Sequence, residues 1–322
     1  MQAGNIKNVQ ELIDQGVDVN KLDERYGCTA LHMAATLGHL EIARVLRTAG
    51  ARIYAENEHG EPLVFAAVYS GNVDLLRFLL DEGASSESRN RNGENLVHHA
   101  ITHRREDVLL YLIDINVDVN AQDDRGWTPL HTVAWIGDLP VTSVLIDAGA
   151  NMNAAANNRE TPLHTAAAYN HAQVVRDLIT AQANVNLLDE SGRHSLFHAR
   201  SVEVMGLLLD AGANPDISDR YNYTPLSSAV NARNGVALLT SLIQSGADVN
   251  KRTDHGRTAI FNVIPDDNIE VFSILVKNGA DLTIQSDSGE TPLDWVLEYN
   301  AEKIRAFLEK HADPNNEQEP AR

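Results

Sequence analysis

The chain has 322 residues, a formal net charge of −19 from 45 acidic and 26 basic side chains, and a single cysteine, Cys28. This charge excludes broad binding to the phosphate backbone of a nucleic acid duplex, which needs a basic face. One cysteine excludes an internal disulfide, and no run of about 18 apolar residues could span a membrane. We therefore expect a cytoplasmic protein, or one that is intracellular in the wider sense that includes the nucleus.

The first segment that predicts a helix is residues 4–16, with the sequence GNIKNVQELIDQG. It has the character of the second half of a helix pair, and no first helix precedes it. We therefore expect residues 1–22 to form half a repeat, as a fragment of a longer protein or a naturally shortened end would show.

Residues 126–158 contain the clearest copy of a unit that recurs along the chain. Thr128 can cap a helix with its hydroxyl, and Pro129 suits the first helical position, where no N–H group is needed. Gly137 ends this helix, and Gly149 ends the second helix that follows. The expected buried stripe of the second helix is Val141, Val144, Leu145 and Ile146. Such a helix pair cannot bury its apolar side alone, so the pattern predicts stacked neighbours.

The same unit recurs at a nearly constant interval. The residue at its turn tip is, in order, Gly27, Gly60, Gly93, Gly126, Arg159, Gly192, Asn222, Gly256 and Gly289. Successive tips are 33 residues apart, except for intervals of 30 before Asn222 and 34 before Gly256. Variants of TPLH at the start of the first helix and of GADVN after the second recur in phase with the tips. This regularity predicts a solenoid, which grows by stacking and needs no single central core.

Three later copies depart from the pattern. Arg159, Asn170 and Gln182 take positions where glycine is expected, and holding such residues at positive φ costs about 1 kcal/mol each. The next copy has lost three residues between its helices. We therefore expect the stack to be least regular over residues 159–205. Farther along, Pro265 should end a first helix early.

These phrases and their spacing resemble the ankyrin repeat family over about residues 4–312. The resemblance implies an all-α fold, a solenoid of stacked helix-turn-helix units with short β-hairpin-like turn tips. We expect residues 1–312 to form this domain and residues 313–322 to form a disordered polar tail. After the half repeat at 1–22, nine full repeats are expected to begin near residues 24, 57, 90, 123, 156, 189, 219, 253 and 286.

Thirteen histidines raise the question of a metal or catalytic site. The fourth position of the TPLH-like phrase is occupied by His32, His98, His131 and His164. This position is similar to the family's structural histidine, which links neighbouring repeats by hydrogen bonds. His99 and His103 lie four residues apart on one predicted helix, a spacing that can bind a metal, but no third ligand is evident. Because no catalytic, phosphate-binding or metal-binding motif is present either, we predict neither an enzyme nor a cofactor or metal site.

Five asparagines end phrases of the VDVN type, each eight residues after a leucine of the second helix. They are Asn20, Asn120, Asn153, Asn186 and Asn250. They resemble the asparagine that is hydroxylated in animal ankyrin repeats. The alternative, which we favour, is a structural role in which the amide makes turn hydrogen bonds.

In ankyrin-like stacks the turn tips and first helices form an inner surface, and positions that the fold does not need are available for binding. The candidate partner-binding residues at such positions are Tyr69, His103, Trp127, Trp135, Ile136 and Tyr169. Tyr26 is a further aromatic residue beside a tip. Large aromatic side chains are typical of binding hot spots. The alternative for each of them is packing on a neighbouring repeat.

The resemblance and the aromatic residues together predict a scaffold that binds a segment of another protein in the groove and at the turn tips. The negative charge allows that partner to carry a basic segment. The alternative is a receptor for a small or oligonucleotide ligand, stacked on Trp135 and Tyr69 with its phosphate on Arg91 or Arg105. We expect a monomer or a part of a larger chain, with no membrane contact.

Overall fold

The structure is a computed structural model. It describes residues 6–25, 27–230, 232 and 235–312. Part of the predicted half repeat, Tyr26 and the predicted tail at 313–322 therefore lie outside the described residues. The chain divides into two compact units, Met1–Asn157 and Asn158–Arg322.

The first unit consists of short helices joined by tight turns. They are α1 (Ile6–Asp14), α2 (Ala30–Thr36), α3 (Leu40–Thr48), α4 (Leu63–Ser70), α5 (Val73–Asp81), α6 (Leu96–Thr102), α7 (Glu106–Asp114), α8 (Pro129–Ile136) and α9 (Leu139–Asp147). The first helices of the repeats, α2, α4, α6 and α8, pack on one another in chain order. The second helices α3, α5 and α7 form a parallel row, and α1 packs on α3 as the second helix of a half repeat.

The second unit repeats this arrangement with more variation. Its helices are α10 (Pro162–Ala168), α11 (Ala172–Thr180), α12 (Ser195–His198), α13 (Val202–Asp210), α14 (Pro225–Ala229), α15 (Gly235–Gln244), α16 (Ile269–Lys277), α17 (Pro292–Glu298) and α18 (Glu302–Ala312). Two segments, Asp254–Gly256 and Ala259–Val263, are 3-10 helices. The described residues contain no β-strand, and an antiparallel bridge between Glu56 and Pro62 lies at a turn tip of the first unit. The predicted all-α class is thus confirmed.

The turn tips have the predicted backbone conformation, because all nine tip residues have positive φ, between 56° and 87°. Gly126 shows why glycine suits this position. A Cβ atom there would lie 2.6 Å from Asn157 Oδ1 and 2.7 Å from Asn157 N, so the next tip leaves no room for a side chain. Arg159 keeps a φ of 62° at the equivalent position, and Asn170 and Gln182 are also left-handed, as the sequence predicts.

The histidines of the TPLH-like phrase are structural. Thr128 and His131 form a capping box at the start of α8, with 2.9 Å between Thr128 Oγ1 and His131 Nδ1. The buried ring of His98 lies with Nε2 3.0 Å from the carbonyl oxygen of Trp127, in the next repeat. His164 Nε2 makes the same 3.0 Å contact with the carbonyl oxygen of Arg193. The imidazoles of His98 and His164 therefore each join a first helix to the following turn tip.

The buried stripe of α9 differs from the predicted one. Val141 and Leu145 are buried as expected, but Val144 and Ile146 are only half-buried. Thr142 takes a fully buried place instead, since its hydroxyl donates a 2.8 Å hydrogen bond to the carbonyl oxygen of Asp138. A polar residue can occupy the core when its own helix satisfies its hydroxyl group.

Two of the three irregular copies have short first helices. For the copy that lost three residues the deletion predicts either a short first helix or a short loop between the helices, and for the other Pro265 predicts an early end. The copy that lost three residues has α12, which comprises only Ser195–His198. In the copy with Pro265, a 3-10 helix replaces the α-helix and ends at Val263. Proline cannot donate a backbone hydrogen bond to continue the helix, which accounts for this early end.

Candidate partner-binding site

Tyr69 and His103 lie together in the first unit, as the sequence predicted. Tyr69 is 43% exposed near the end of α4, and its ring centroid is 4.8 Å from that of His103 in edge-on contact. Arg105 Nε donates a 2.8 Å hydrogen bond to the carbonyl oxygen of Tyr69 and holds this corner in place. The two rings border a cavity of about 380 Å³ that Phe65 and Glu61 also line.

His99 forms the floor of this cavity. Its ring is buried, packs edge-on against Phe65 at 5.1 Å, and lies 4.3 Å from the ring of His103. Burial, together with the smaller effect of the charge on His103, lowers the pKa of His99 to about 3. The pKa of His103 is also lowered, chiefly by burial. Both rings are therefore neutral near pH 7 and belong to the apolar lining.

A second cavity of about 420 Å³ lies between the repeats that begin near residues 90 and 123. It is lined by Asn92, Glu94, Thr102, Asp124, Arg125, Trp127, Thr132 and Trp135. Trp135 is 44% exposed near the end of α8, which makes it a large apolar side chain at the rim of an open depression.

Trp127 is half-buried and is held between two side chains of its own repeat. The Arg125 guanidinium carbon lies 4.3 Å from its ring centroid, and the ring of His131 stacks at 6.0 Å. Arg125 in turn forms an ion pair with the buried carboxylate of Asp123 at 3.0 Å. Trp127 is therefore a fixed wall of the second cavity, whereas Trp135 is its exposed edge.

The two remaining predicted residues lie in different surroundings. Ile136 ends α8 and is half-buried. Tyr169 belongs to the second unit, where it follows α10 and is 54% exposed. The structure thus places Tyr69 and His103 on one cavity and Trp127 and Trp135 on another, and a continuous strip that includes Tyr169 stays a prediction.

Two arginines of this region, Arg89 and Arg105, hold turns together, whereas Arg91, the other predicted phosphate ligand, is exposed. Arg89 Nη1 donates hydrogen bonds of 2.7 Å and 2.6 Å to the carbonyl oxygens of Gly93 and Gln122. Arg105 is bonded to the backbone of Tyr69, as described above. Both guanidinium groups therefore have a structural task already.

Four of the five VDVN-type asparagines make a pair of side-chain hydrogen bonds that link one repeat to the next. Asn120 Nδ2 donates a 3.1 Å hydrogen bond to the carbonyl oxygen of Gly149, and its Oδ1 accepts one of 2.7 Å from the N–H group of Asn151. Asn20, Asn186 and Asn250 make the same pair of bonds at equivalent positions. The sequence did not indicate this bidentate link between repeats, which supports the structural interpretation of these amides.

One side-chain cluster of the second unit was missed by sequence reasoning. Among the residues that the structure describes, Glu160, Asp189 and His198 bring one ligand atom each to within 4.8 Å of one another. No short motif connects them, because 38 positions separate the first from the last and a shortened helix carries His198. Only folding brings them together.

The comparisons with known proteins agree with this architecture. The family described as "Ankyrin repeats (3 copies)" matches residues 49–123, 115–189 and 226–318, and the family described as "Ankyrin repeats (many copies)" matches residues 1–47. The chain belongs to the ankyrin repeat family. The predicted family is therefore confirmed. Ankyrin repeats are in general protein–protein interaction modules, and this confirms the broad functional class that the sequence predicted.

Solved and curated ankyrin relatives resemble parts of this chain. The crystal structure of the ankyrin repeat domain of Bcl-3, described as a unique member of the IkappaB protein family, superposes with a TM-score of 0.56 and 27% identity. The superposition covers 63% of this chain and 91% of that domain. The mouse and human ankyrin repeat domain-containing proteins 13B are each 52% identical over 52 residues, 16% of this chain and 8% of theirs.

The mouse 2-5A-dependent ribonuclease is 30% identical over 69 residues, which is 21% of this chain and 9% of the ribonuclease. The ankyrin chain thus matches less than a tenth of the length of these curated relatives. The activities of these relatives are properties of their full-length chains. The ankyrin fold is typically a non-enzymatic scaffold, and none of the helices described in this structure is long and apolar enough to cross a bilayer.

Proposed function

We propose that this chain is an interaction scaffold whose first unit binds a segment of another protein across the two cavities described above. The observation that carries the proposal is the exposure of Trp135, 44%, at the rim of the 420 Å³ cavity. An exposed tryptophan beside a concave surface can bury a large apolar area while it loses little rotamer freedom. Tyr69 supplies a second exposed ring beside the 380 Å³ cavity.

The charges around the cavities support a partner with a basic segment. Glu94 and Asp124 line the Trp135 cavity, and the arginine there, Arg125, is already neutralised by Asp123. Glu61 lines the Tyr69 cavity at the repeat position equivalent to that of Glu94. The rim of the Trp135 cavity is therefore acidic in a chain whose net charge is −19, whereas the Tyr69 cavity has the carboxylate of Glu61 and, 5.8 Å from the Tyr69 ring centroid, the guanidinium carbon of Arg105. A lysine or arginine beside an aliphatic or aromatic anchor matches this combination.

The same charges disfavour the alternative of a phosphate-bearing ligand. A phosphate stacked near Trp135 would meet the carboxylates of Glu94 and Asp124. Arg105, proposed to bind the phosphate beside Tyr69, is bonded to a backbone oxygen at 2.8 Å. Like charges placed next to each other weaken binding, so the acidic rim of the Trp135 cavity favours the basic protein segment.

The proposal is tested with a display library of random linear peptides selected on the full chain. The library is first depleted on the Trp135→Ala variant, so that only peptides that need this ring remain. We expect the enriched peptides to carry lysine or arginine next to apolar residues, and to bind more weakly as salt is raised, because exposed charge pairs are screened. Glu94→Gln removes a negative charge from the cavity rim and should also weaken the binding of these peptides.

The matched control is Tyr54→Ala. Tyr54 is 80% exposed in the same unit, but it lies outside both proposed cavities. Peptides that bind the wild type and Tyr54→Ala equally, but bind Trp135→Ala more weakly, would support binding at the two cavities. Enrichment of acidic peptides, or of peptides that lose affinity for Tyr54→Ala instead, would contradict the proposal.

A further inference from the structure

Three turn-tip aspartates share a buried position and the same backbone hydrogen bonds. Oδ1 of Asp123, Asp189 and Asp219 accepts two backbone N–H groups each, at 2.7–3.0 Å. Their second oxygen differs in its partner. Asp123 Oδ2 meets the guanidinium of Arg125 at 3.0 Å, and Asp219 Oδ2 meets that of Arg193 at 2.8 Å. At two of the three tips, therefore, a permanent cation balances the buried carboxylate.

Asp189 lacks such a permanent cation, because the arginine of its own repeat, Arg193, is directed to Asp219. Its Oδ2 faces His198 Nε2 at 3.2 Å instead. Glu160, half-buried beside the preceding tip, completes a group whose three ligand atoms lie within 4.8 Å of one another. Two carboxylates and one imidazole thus surround a space where the other tips hold a positive charge.

The neighbouring histidines use their ring nitrogens on the backbone and on Thr161, so His198 is the imidazole of this region that faces the carboxylate of Asp189. His164 contacts Thr161 Oγ1 through Nδ1 at 2.8 Å and the carbonyl oxygen of Arg193 through Nε2. His194 accepts the N–H of Leu196 at Nδ1 and uses Nε2 on the carbonyl oxygen of Asn214 at 2.9 Å. Both rings are buried and serve the backbone.

We propose that Glu160, Asp189 and His198 form a binding site for a divalent transition metal, with Zn²⁺ as the best match. Zinc binds imidazole nitrogen and carboxylate oxygen at about 2.0–2.2 Å, so neighbouring ligands of a tetrahedral site lie about 3.3 Å apart. The 3.2 Å between His198 Nε2 and Asp189 Oδ2 fits this spacing. Glu160 completes a three-residue set with a fourth position for water.

The metal neutralises the two carboxylates and joins two consecutive repeats. Glu160 belongs to the repeat with the three left-handed non-glycine residues, whereas Asp189 and His198 belong to the shortened repeat. The site therefore lies where the sequence predicts the least regular packing. A metal held there stabilises the folded unit, because it binds the native arrangement and not the separated ligands. This stabilising role is independent of partner binding at the two cavities of the first unit.

The test uses the full chain, stripped of metal with a chelator and titrated with ZnCl₂ in a calorimeter. We expect one equivalent of Zn²⁺ to bind more tightly than any further equivalents and to raise the thermal unfolding temperature. CoCl₂ should give the intense visible absorption of a four-coordinate Co²⁺ ion. His198→Gln and Glu160→Gln should each lower the affinity for the first equivalent by at least about tenfold, since each removes a ligand.

The matched controls are His171→Gln and Glu190→Gln, which remove a histidine and a glutamate of the same unit outside the cluster. Both should keep the affinity of the wild type. If His198→Gln fails to fold by circular dichroism, Glu160→Gln decides, because glutamine keeps the size of the side chain and the backbone N–H that makes the 3.1 Å turn bond to Asn158. Unchanged Zn²⁺ affinity in Glu160→Gln, or no stoichiometric binding by the wild type, would overturn the proposal.

Discussion

Trp135→Ala separates a binding role from a packing role. A tryptophan side chain can bury up to about 250 Å², so its exposed 44% offers a partner about 110 Å². At about 25 cal/mol per Å², that area contributes about 2.8 kcal/mol, from which about 1 kcal/mol is subtracted for ordering the side chain. The expected loss of affinity is about 2 kcal/mol, or about thirtyfold.

The same substitution also costs some folding stability, because the rest of the ring is covered. The covered remainder, about 140 Å², gives an upper value of about 3.5 kcal/mol, and a compact unfolded chain reduces it to about 2 kcal/mol. Trp295 provides the comparison, since it is only 7% exposed and packs edge-on against Phe261. Its truncation should cost about 3–5 kcal/mol.

Two measurements check these figures. Urea unfolding followed by circular dichroism gives the stability loss of Trp135→Ala and Trp295→Ala. Fluorescence anisotropy gives the affinity of Trp135→Ala for a labelled peptide selected on the wild type without prior depletion on this variant. A stability loss for Trp135→Ala equal to that of Trp295→Ala would show that the ring is core packing. A folded Trp135→Ala with unchanged peptide affinity would refute the assignment of the groove.

Four further outcomes are expected. Amide hydrogen exchange should be fastest among the internal repeats over residues 159–205, where the shortest α-helix lies, and uniform protection would contradict this. Arg159→Gly should raise stability by up to about 1 kcal/mol in urea unfolding, because Arg159 has a φ of 62°. Burial lowers the pKa of His164 to about 4 from an ordinary 6.5, so the unfolded chain binds the proton first as pH falls. The contribution of His164 to the free energy of unfolding should therefore be complete above about pH 6.5 and about 2 kcal/mol smaller near pH 5. Between about pH 7.5 and pH 5, the free energy of unfolding should fall less in a His164→Gln variant than in the wild type. Because its amide clamps two repeats, Asn120 should show no mass increase of about 16 Da in peptides of the native protein, and such an increase would favour hydroxylation.

The repeating unit could be predicted from the sequence because its cause is local. Thr128 and Pro129 begin a helix through groups that act within a few residues, and Gly126 permits a backbone conformation that few residues tolerate. Such effects recur at each copy and add along the chain, so nine tips at a nearly constant interval predict the fold class. The same reasoning predicted that the deletion shortens either the first helix or the loop after it, and the structure shows that it is the helix α12 that is short.

Contacts between repeats were decided by the tertiary structure. The sequence placed Trp127 and Trp135 off the apolar stripe alike, yet Arg125 and His131 enclose the former and the latter is 44% exposed. Side-chain direction and the reach of a neighbouring cation determine that difference, and neither follows from position within a repeat.

The cluster of Glu160, Asp189 and His198 depends on the tertiary structure in the same way. Its residues share no spacing that a motif would reveal, and their ligand atoms meet because adjacent turn tips stack while Arg193 turns to another aspartate. Repetition along the chain determined which elements form. The distances between side chains of different repeats, and with them the sites, exist only once those elements pack, since burial and charge pairing depend on all the neighbours of a group at once.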